Sequence, residues 1–385
     1  MNSTQIPHLD SNQQQASDTL AQIIAAEISQ HGAIPFSRFM ELALYAPQYG
    51  YYTGGAHKIG AAGDFITAPV LSPLFGQTLA RQLTPLLAQT AGNVYEFGAG
   101  TGALAVSLLN ALSGCLNTYY IVELSPELAA RQSQYIQQHA PDLVHKVKHL
   151  TALPASFDGV ILGNEVLDAM PSERICRHEN GDFSRVYVGY ENGQFALQHQ
   201  SLIDPDLFQA ALNYFPENAG EYTNELHPTQ HAFIRTLAEK LTRGAMIWLD
   251  YGFDAAQYYH PERSDGTLMG HHRHHTIHDP FYRVGLTDLT VHVNFSDIAA
   301  AGCGAGLDLI GYTNQATFLY NLGILDLLAA AFPRTDTPDY FQAAQAVNTL
   351  TAQHEMGELF KVIAFGKQVD VDWLGFAHGD MCHKL

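Results

Sequence analysis

Apolar residues near the start of the chain recur with the period of a helix. They follow an i, i+3, i+4 spacing over residues 20–28 and again over residues 39–43, so that each set lies on one helix face. Ser37 precedes the second set and is predicted as its N-cap. We therefore expect a helical region over residues 18–90, preceded by a polar, disordered tail at residues 1–17.

The hydrophobic pattern changes after residue 90, where short continuous apolar runs alternate with helical segments. Runs of this length suit strands that are buried on both faces, and the alternation predicts a mostly parallel sheet. An Asn-Gly pair at 192–193, within an alternating segment, predicts a β-hairpin turn. Residues 202–241 are predicted as a helical insertion within an α/β domain that covers residues 91–385. The predicted strands lie at 94–97, 119–122, 160–162, 245–249, 289–295 and 361–365.

Composition and charge narrow the class of protein. Of the 385 residues, 46% are hydrophobic and 15% are charged, which is typical of a folded globular chain. The formal net charge is -19, so the phosphates of a nucleic acid would be repelled and no nucleic-acid partner is expected. The sequence has no apolar run of about 18 residues, and its polar start lacks the apolar core of a signal peptide. We therefore expect a cytoplasmic protein without membrane insertion.

Cysteines and histidines raise the question of a metal site. The four cysteines are widely separated and form no CxxC pair, so neither a disulfide framework nor a zinc ribbon is expected. The segment "GHHRHHTIHDP" contains several histidines but no cysteine or carboxylate at ligand spacing. We predict no metal, and select His278 as the member to test for a role toward a substrate. The histidines are His271, His272, His274, His275 and His278.

A glycine-rich turn follows the first predicted strand in "VYEFGAGTGALA". Gly98, Gly100 and Gly102 lie between this strand and a predicted helix, whose first N–H groups have no partner within the helix. Glycine at these positions lets a ligand approach the backbone. The spacing fits a dinucleotide, an adenosine compound without phosphate, or a tight structural turn. A triphosphate-binding loop is excluded, because no Gly-Lys-Ser/Thr follows.

Two acidic residues discriminate between these ligands. Glu96 precedes the first glycine by two positions, where a carboxylate would repel a pyrophosphate and attract the sulfonium or ammonium of S-adenosylmethionine. Glu123 ends the next strand, where a carboxylate accepts hydrogen bonds from both ribose hydroxyls. The ribose acid is common to both kinds of cofactor, whereas Glu96 favours S-adenosylmethionine. A dinucleotide site and a structural turn remain the alternatives.

A third polar cluster follows the predicted strand at 160–162, in "GNEVLDAMP". Asn164, Glu165 and Asp168 are expected at the carboxyl edge of the sheet, which is the edge where open α/β sheets bind ligands. The alternative is a capped helix start, because Asn and Asp are common N-caps. We interpret the two carboxylates first as functional groups beside a cofactor.

Five sequence blocks together closely resemble the MidA-like family of class I S-adenosylmethionine-dependent methyltransferases. The resemblance implies a Rossmann-like, seven-stranded methyltransferase sheet with a helical N-terminal region. It also implies a protein substrate, because eukaryotic members symmetrically dimethylate an arginine on a quinone-site core subunit of respiratory complex I. The oligomeric state is left open, with a homodimer as one expectation. The blocks, in family order within residues 18–367, are "GDFITAPVLSPLFGQ", "EFGAGTGALA", "GNEVLDAMP", "GLTDLTVHVNF" and "MGELFKVIAFG".

The family motifs also indicate which residues bind the cofactor and the substrate. For an arginine acceptor, Glu165 and Asp168 are expected to clamp the planar guanidinium, with His278 as a further catalytic candidate. The aromatic loop at residues 45–69 is expected to cover the cofactor. Val70 departs from the family pattern, since an acidic residue usually follows "TAP" in this block. The expected cofactor residues are Gly63, Asp64, Phe65, Thr67, Glu96, Gly98, Gly100, Thr101, Gly102, Glu123, Leu124 and Asn164.

Two rival functions remain at this point. An NAD-dependent oxidoreductase would respond to NAD and not to S-adenosylmethionine. A non-catalytic assembly chaperone with a methyltransferase fold would never label a protein with a methyl group. We expect an active S-adenosylmethionine-dependent methyltransferase that acts on a protein arginine.

Overall fold

The computed structural model describes residues 9–54, 66–217 and 220–385, which divide into two compact units. The accessory unit consists of residues 9–54 with the described parts of Leu167–His231 and Phe253–Asn294. The sheet unit consists of Ile66–Val166, Ala232–Gly252 and Phe295–Leu385.

The strands of both units are numbered here in chain order. Within the described residues they are β1 (Ile34–Pro35), β2 (Asn93–Phe97), β3 (Thr118–Val122), β4 (Val147–Leu150), β5 (Phe157–Asn164), β6 (Glu173–Arg177), β7 (Phe183–Glu191), β8 (Gln194–Ser201), β9 (Tyr222–Leu226), β10 (Leu241–Phe253), β11 (Met269–His272), β12 (His275–Ile277), β13 (Asp288–Thr290), β14 (Val293–Asn294), β15 (Asp308–Asn314) and β16 (Phe360–Lys367).

The helices are numbered in the same way. None of the described helices is long and apolar enough to cross a membrane. They are α1 (Ser11–His31), α2 (Phe36–Tyr45), α3 (Ala68–Leu71), α4 (Pro73–Gln89), α5 (Ala103–Ala111), α6 (Pro126–His139), α7 (Pro205–Tyr214), α8 (Pro228–Lys240), α9 (Ala255–Tyr258), α10 (Phe295–Gly304), α11 (Gln315–Asn321), α12 (Ile324–Ala331), α13 (Pro338–Thr351) and α14 (Met356–Leu359). Short 3-10 helices are formed by Pro141–Lys146, Leu374–Phe376 and Cys382–Lys384.

The sheet unit is built on strands that pair in the order β15-β16-β10-β5-β2-β3-β4. Strands β2, β3, β4, β5 and β10 run parallel, and β16 is antiparallel to both of its neighbours. This order confirms the predicted Rossmann-like fold of the class I methyltransferase type. The strand order reverses at β2, which lies between β3 and β5, so a ligand crevice is expected at the carboxyl ends of β2 and β5.

Continuous apolar runs explain why these segments form the centre of a sheet. Strands β5, β10 and β16 are buried along most of their length, as is usual for strands that helices cover on both faces. On one face, α4 and α5 pack onto the sheet through a shared apolar core. This core includes Leu79, Leu83, Val94, Leu108 and Leu162.

The accessory unit is mainly antiparallel. Strands β1, β7, β6 and β9 pair in that order, and β8 pairs with β7. The turn between β7 and β8 has Asn192 and Gly193 at positive φ angles of 51° and 82°, which confirms the predicted Asn-Gly hairpin. A smaller sheet has the order β12-β11-β13. Helices α1 and α2 contribute Leu20, Ile24 and Phe39 to the apolar core of this unit.

The structure corrects two predictions about the first helices. Helix α1 begins at Ser11, inside the predicted tail, because Asp10 and Gln13 form a capping box at its start. Ser37 lies within α2 and is not its N-cap. Its hydroxyl donates instead to Oε1 of Glu173 at 2.7 Å, so the serine is used for a contact with β6.

The domain boundaries also differ from those predicted. The two units interleave along the chain, and α4 belongs to the sheet unit, so residue 90 is not a boundary. The predicted helical insertion at 202–241 contains β9 between α7 and α8. Strand β9 was missed because Asn224 and Glu225, both fully buried, interrupt the apolar pattern of a strand with polar side chains. The predicted strand at 289–295 is divided into β13 and β14, and α10 begins at its last residue.

Candidate active site

The glycine-rich turn joins the carboxyl end of β2 to α5. Gly98, Gly100 and Gly102 have positive φ angles of 66°, 52° and 85°, a region that residues other than glycine rarely adopt. A Cβ atom on Gly98 would lie 2.8 Å from Cγ2 of Val166, so space as well as conformation requires glycine. Gly102 is the N-cap of α5 and has no side chain to cap the helix. The first N–H groups of α5 are therefore suited to bind a ligand.

Glu123, the predicted ribose acid, is held in place by neighbouring donors. Its Oε1 atom accepts from the Ser125 N–H at 2.8 Å, and its Oε2 atom accepts from Nε2 of Gln132 at 3.1 Å. The same Nε2 donates to the carbonyl oxygen of Gly100 at 3.1 Å, and Oε1 of Gln132 lies 3.1 Å from Nε2 of His149. Gln132 is fully buried and ties the glycine turn to the ribose acid. Sequence reasoning missed it, because a glutamine in a polar helix carries no distinguishing signal.

Leu124, the residue after the ribose acid, has an unusually exposed apolar side chain. Its exposed fraction is 74%. An apolar side chain beside a ribose-binding carboxylate is suited to cover one face of an adenine ring. Burial raises the pKa of Glu123, and the hydrogen bonds from Ser125 and Gln132 oppose this rise. The two residues together have the chemistry expected for an adenosine site.

Glu96 lies in the core of the sheet unit, which differs from its predicted role. It is 2% exposed, and its Oε2 atom accepts a hydrogen bond from the Tyr119 hydroxyl at 2.8 Å. Burial raises the pKa of Glu96 to about 8, and the Tyr119 hydrogen bond only partly opposes this rise. The carboxyl group is therefore mostly neutral at pH 7, so it supplies little of the charge that was expected to attract a sulfonium. The cause is the period of the strand, since Glu96 shares its face of β2 with the core residue Val94.

Asn164 is the last residue of β5, and Glu165 directly follows it. Nδ2 of Asn164 donates to Oε1 of Glu165 at 2.9 Å. Oδ1 of Asn164 is buried and has no hydrogen-bond partner among the described residues, which is costly unless a ligand donates to it. Glu165 has a φ of 55°, and such strained backbone clusters at functional sites. Both features indicate a ligand-binding position.

The alternative interpretation of this segment as a capped helix start is wrong. Over the described residues that follow β5, the backbone forms turns, and no helix begins at Asn164 or Asp168. The N–H of Val166 donates to Oδ2 of Asp250 at 3.1 Å, a contact with the neighbouring strand β10. The polar residues of this segment therefore have no capping role.

Asp168 belongs to a group of buried polar side chains in the accessory unit. The Tyr52 hydroxyl donates to Oδ1 and Oδ2 of Asp288 at 3.0 and 3.2 Å, and its ring stacks on Tyr45 with centroids 5.5 Å apart. Asp168 and Asp288 are both buried. Burial raises the pKa of Tyr52, and the charges of Asp288 and Asp168 raise it further, so both carboxylates act on the same hydroxyl. Asp288 was not predicted, although an acid in the apolar block "GLTDLTVHVNF" was the available signal.

The remaining predicted residues are more scattered. Thr67 is the N-cap of α3, and its side chain makes no capping hydrogen bond. Thr101 lies in the turn before α5, and His278 is exposed and follows β12. Residues 55–65 of the predicted covering loop, which include Gly63, Asp64 and Phe65, lie outside the described residues.

The histidine-rich segment forms the hairpin of β11 and β12. Arg273 and His274 occupy its turn, with positive φ angles of 47° and 62°. His272 is buried, with Nδ1 2.6 Å from the carbonyl oxygen of Leu286 and Nε2 2.8 Å from Nη1 of Arg283. Both ring nitrogens of His272 therefore have protein partners. That this loop binds no metal stays a prediction.

Known proteins are similar to this chain in sequence and in fold. Residues 77–313 match the family described as S-adenosyl-L-methionine-dependent methyltransferase. A methyltransferase candidate from Burkholderia thailandensis, solved with bound S-adenosylhomocysteine, is 45% identical, with 99% of this chain and 100% of that chain covered and a TM-score of 0.94. Protein arginine methyltransferase NDUFAF7 of Danio rerio is 27% identical, over 88% of this chain and 84% of its own. The Homo sapiens protein of that name is 25% identical, over 88% of this chain and 81% of its own.

The strand order, the glycine turn and an acidic residue directly after β3 are the features of a class I S-adenosylmethionine-dependent methyltransferase. In this class the cofactor supplies a methyl group bonded to a sulfonium. The described residues fit it, because Glu123 offers a ribose acceptor, Leu124 an adenine contact and Asn164 an orphaned acceptor. The chain belongs to the MidA-like family of S-adenosyl-L-methionine-dependent methyltransferases.

Proposed function

We propose that the chain methylates an arginine side chain of a protein substrate. Relatives named as protein arginine methyltransferases are 27% and 25% identical to it over most of both chains. The structural observation that carries the proposal is Glu165, a carboxylate at positive φ immediately beyond β5 and in contact with Asn164. Strained backbone at such a position is retained where one side chain has to be held in place.

The chemistry of the acceptor explains the need for a carboxylate. A guanidinium is charged at neutral pH and presents its N–H groups in a planar fork. A carboxylate that accepts two of these hydrogen bonds fixes the plane, so the remaining nitrogen can face the methyl donor. As the bond from this nitrogen to the methyl carbon forms, the bond from that carbon to the sulfonium sulfur would break, which leaves S-adenosylhomocysteine, and the nitrogen would release one proton to solvent. Asp168, three residues further along the chain, is the second carboxylate that the family motif supplies, and its own variant tests it.

Labelling in a cell lysate tests the type of acceptor. S-adenosylmethionine with a radioactive methyl group is added, with the purified protein, to a lysate of cells that lack it. The labelled band is then digested and its modified residue identified by mass spectrometry. We expect methylarginine. Label on lysine or on a small molecule would reject arginine, and a protein that binds S-adenosylhomocysteine but labels nothing would be the non-catalytic chaperone.

The Glu165→Gln variant tests the role of the carboxylate. It keeps the side-chain shape and removes a charge-assisted hydrogen bond of about 1.5–3 kcal/mol, so single-turnover methylation should fall about 10- to 200-fold. Affinity for S-adenosylhomocysteine should change little. Glu239→Gln, at a 63% exposed side chain on α8, is the matched control. Near-normal turnover in Glu165→Gln would refute the clamp, and Asp168→Asn would then be measured in the same assay.

The substrate, the assembly state and the location are further parts of the proposal. A respiratory complex I subunit is the first candidate substrate, as the family resemblance implies, and purified subunits can be added to the labelling assay. A homodimer is tested by light scattering of the untagged protein. The cytoplasmic location is tested by cell fractionation.

A further inference from the structure

Three side chains of metal-binding type lie on one face of the antiparallel sheet in the accessory unit. Cys176 in β6 is opposite Ser184 in β7, and His199 in β8 is opposite Val186, two residues after Ser184. His178 follows β6, two residues after Cys176. Because side chains alternate between faces with a period of two, the strand register itself places Cys176, Ser184 and His199 on the same face.

The ligand atoms are close enough together for one ion. Sγ of Cys176 lies 3.7 Å from Nδ1 of His178. One ligand atom of each of Cys176, His178 and His199 lies within 4.8 Å of the other two. Tetrahedral zinc, with bonds of about 2.3 Å to sulfur and about 2.0–2.1 Å to nitrogen, holds these two ligand types about 3.5 Å apart. The observed separation of sulfur and nitrogen therefore needs only a small adjustment.

Ser184 supplies the hydrogen bonds that a pair of metal-bound histidines requires. Its Oγ atom lies 2.8 Å from Nε2 of His178 and 3.0 Å from Nδ1 of His199. A neutral imidazole that binds a metal through one nitrogen donates a hydrogen bond from the other. Both rings can therefore donate to the hydroxyl oxygen of Ser184. This arrangement leaves Nδ1 of His178, which lies 3.7 Å from Sγ of Cys176, for an ion.

A fourth ligand is available at the exposed side of the cluster. Oε2 of Glu221 lies 3.9 Å from Nδ1 of His178, and the Glu221 side chain is 69% exposed. Cys176, in contrast, is fully buried. A thiolate, two imidazoles and a carboxylate are all ligand types that Zn²⁺ accepts.

We propose that Cys176, His178 and His199 bind one zinc ion, with Glu221 completing the tetrahedron. The site would join β6, β7 and β8, and it does not depend on the proposed methyl acceptor. It revises the expectation from the sequence that the chain binds no metal. That expectation missed the cluster, because strand pairing brings His199 to residues that are distant from it in the sequence.

Metal titration of the untagged, full-length protein tests the site. Protein stripped with a chelator is titrated with Zn²⁺ in competition with a chromophoric zinc chelator, and separately with Co²⁺, whose spectrum reports a thiolate ligand. We expect one equivalent of zinc and a thiolate-to-cobalt charge-transfer band that Cys176→Ser abolishes. Ser184→Ala should weaken zinc binding about 10- to 100-fold, and His199→Ala should weaken it more than that.

Controls separate this site from binding elsewhere. His199 is exposed, so His199→Ala should fold normally, which circular dichroism checks. Cys303→Ser and His275→Ala, an exposed cysteine and a histidine of the β11–β12 hairpin, should leave zinc affinity unchanged. Zinc binding that survives His199→Ala but not His275→Ala would place the ion in that hairpin and overturn the proposal. Binding of much less than one equivalent by the wild-type protein would also overturn it.

Discussion

Replacing Glu96 by glutamine tests the electrostatics of the sheet unit's core. Glutamine keeps the shape of the side chain and a carbonyl oxygen that can accept from the Tyr119 hydroxyl, but it cannot ionise. Glu96 is 2% exposed, so water cannot solvate its charge in the folded chain. We expect wild-type stability to fall as the pH rises, and the Glu96→Gln variant to lack this part of the pH dependence.

The size of the effect follows from the pKa of Glu96. Burial raises it from 4.5 to about 8, so between these values the folded chain holds a proton that the unfolded chain has released. The group's contribution to stability is therefore complete below pH 4.5 and is lost as the pH rises through about 8. A difference of about 3.5 units, at about 1.4 kcal/mol per unit, makes this loss up to about 5 kcal/mol at alkaline pH.

The assay is urea unfolding of the wild type and the variant at equal ionic strength, at about pH 5, 7 and 9. Glu96→Gln should be close to the wild type at the lowest pH and more stable by several kcal/mol at the highest. Affinity for S-adenosylhomocysteine should be nearly unchanged. Glu239→Gln, at an exposed side chain, should follow the wild type throughout. Parallel pH profiles for wild type and Glu96→Gln would refute the reasoning.

Three other changes test the cofactor site and the backbone of the glycine turn beside it. Glu123→Ala removes the acceptor for the ribose hydroxyls and should weaken S-adenosylhomocysteine binding by about 2–4 kcal/mol, with calorimetry as the measurement and an unchanged affinity as the contradicting result. Gln132→Ala breaks the bonds that tie Glu123 to the glycine turn and should weaken the same binding about 10-fold. If affinity stays normal while the melting temperature falls, Gln132 is only structural. Gly98→Ala puts a Cβ 2.8 Å from Val166 at a positive φ and should cost about 1–3 kcal/mol in urea unfolding. Gly114→Ala, whose Cβ would meet nothing within 4 Å, is the control, and equal midpoints for the two variants would contradict this expectation.

The sheet unit could be predicted from the sequence because each of its central strands can be recognised from its own hydrophobic pattern. Strands β5 and β10 are continuous apolar runs, and such runs separated by helices indicate a parallel sheet wherever they occur. The glycine turn after β2 could also be predicted from a short stretch of sequence, because its three glycines adopt positive φ angles that other residues rarely adopt. The family resemblance added an expected count of seven strands, which local patterns did not provide.

The accessory unit could not be predicted in this way, because its elements depend on partners far away in the chain. Glu225 in β9 is fully buried and accepts a hydrogen bond from the Thr267 N–H at 2.7 Å, although the two residues belong to separate segments. The partner of Ser37 is Glu173, so a serine that resembles an N-cap serves a long-range contact instead. A pattern within a short window contains no information about such partners.

Two glutamates that were predicted to serve one cofactor have different positions, and the strand period explains the difference. Glu96 lies within β2 on the same face as Val94, so its side chain is directed into the core and burial favours its neutral form. Glu123 comes directly after the last residue of β3, where the backbone leaves the sheet and the side chain accepts hydrogen bonds at the carboxyl edge. The two acids carry the same formal charge, but they differ in their position relative to the end of the strand, and this position decides whether the side chain is buried in the core. By the same criterion we propose that Glu165, the first residue beyond β5, is the acid of this segment that meets a substrate, so its substitution should affect turnover before cofactor affinity.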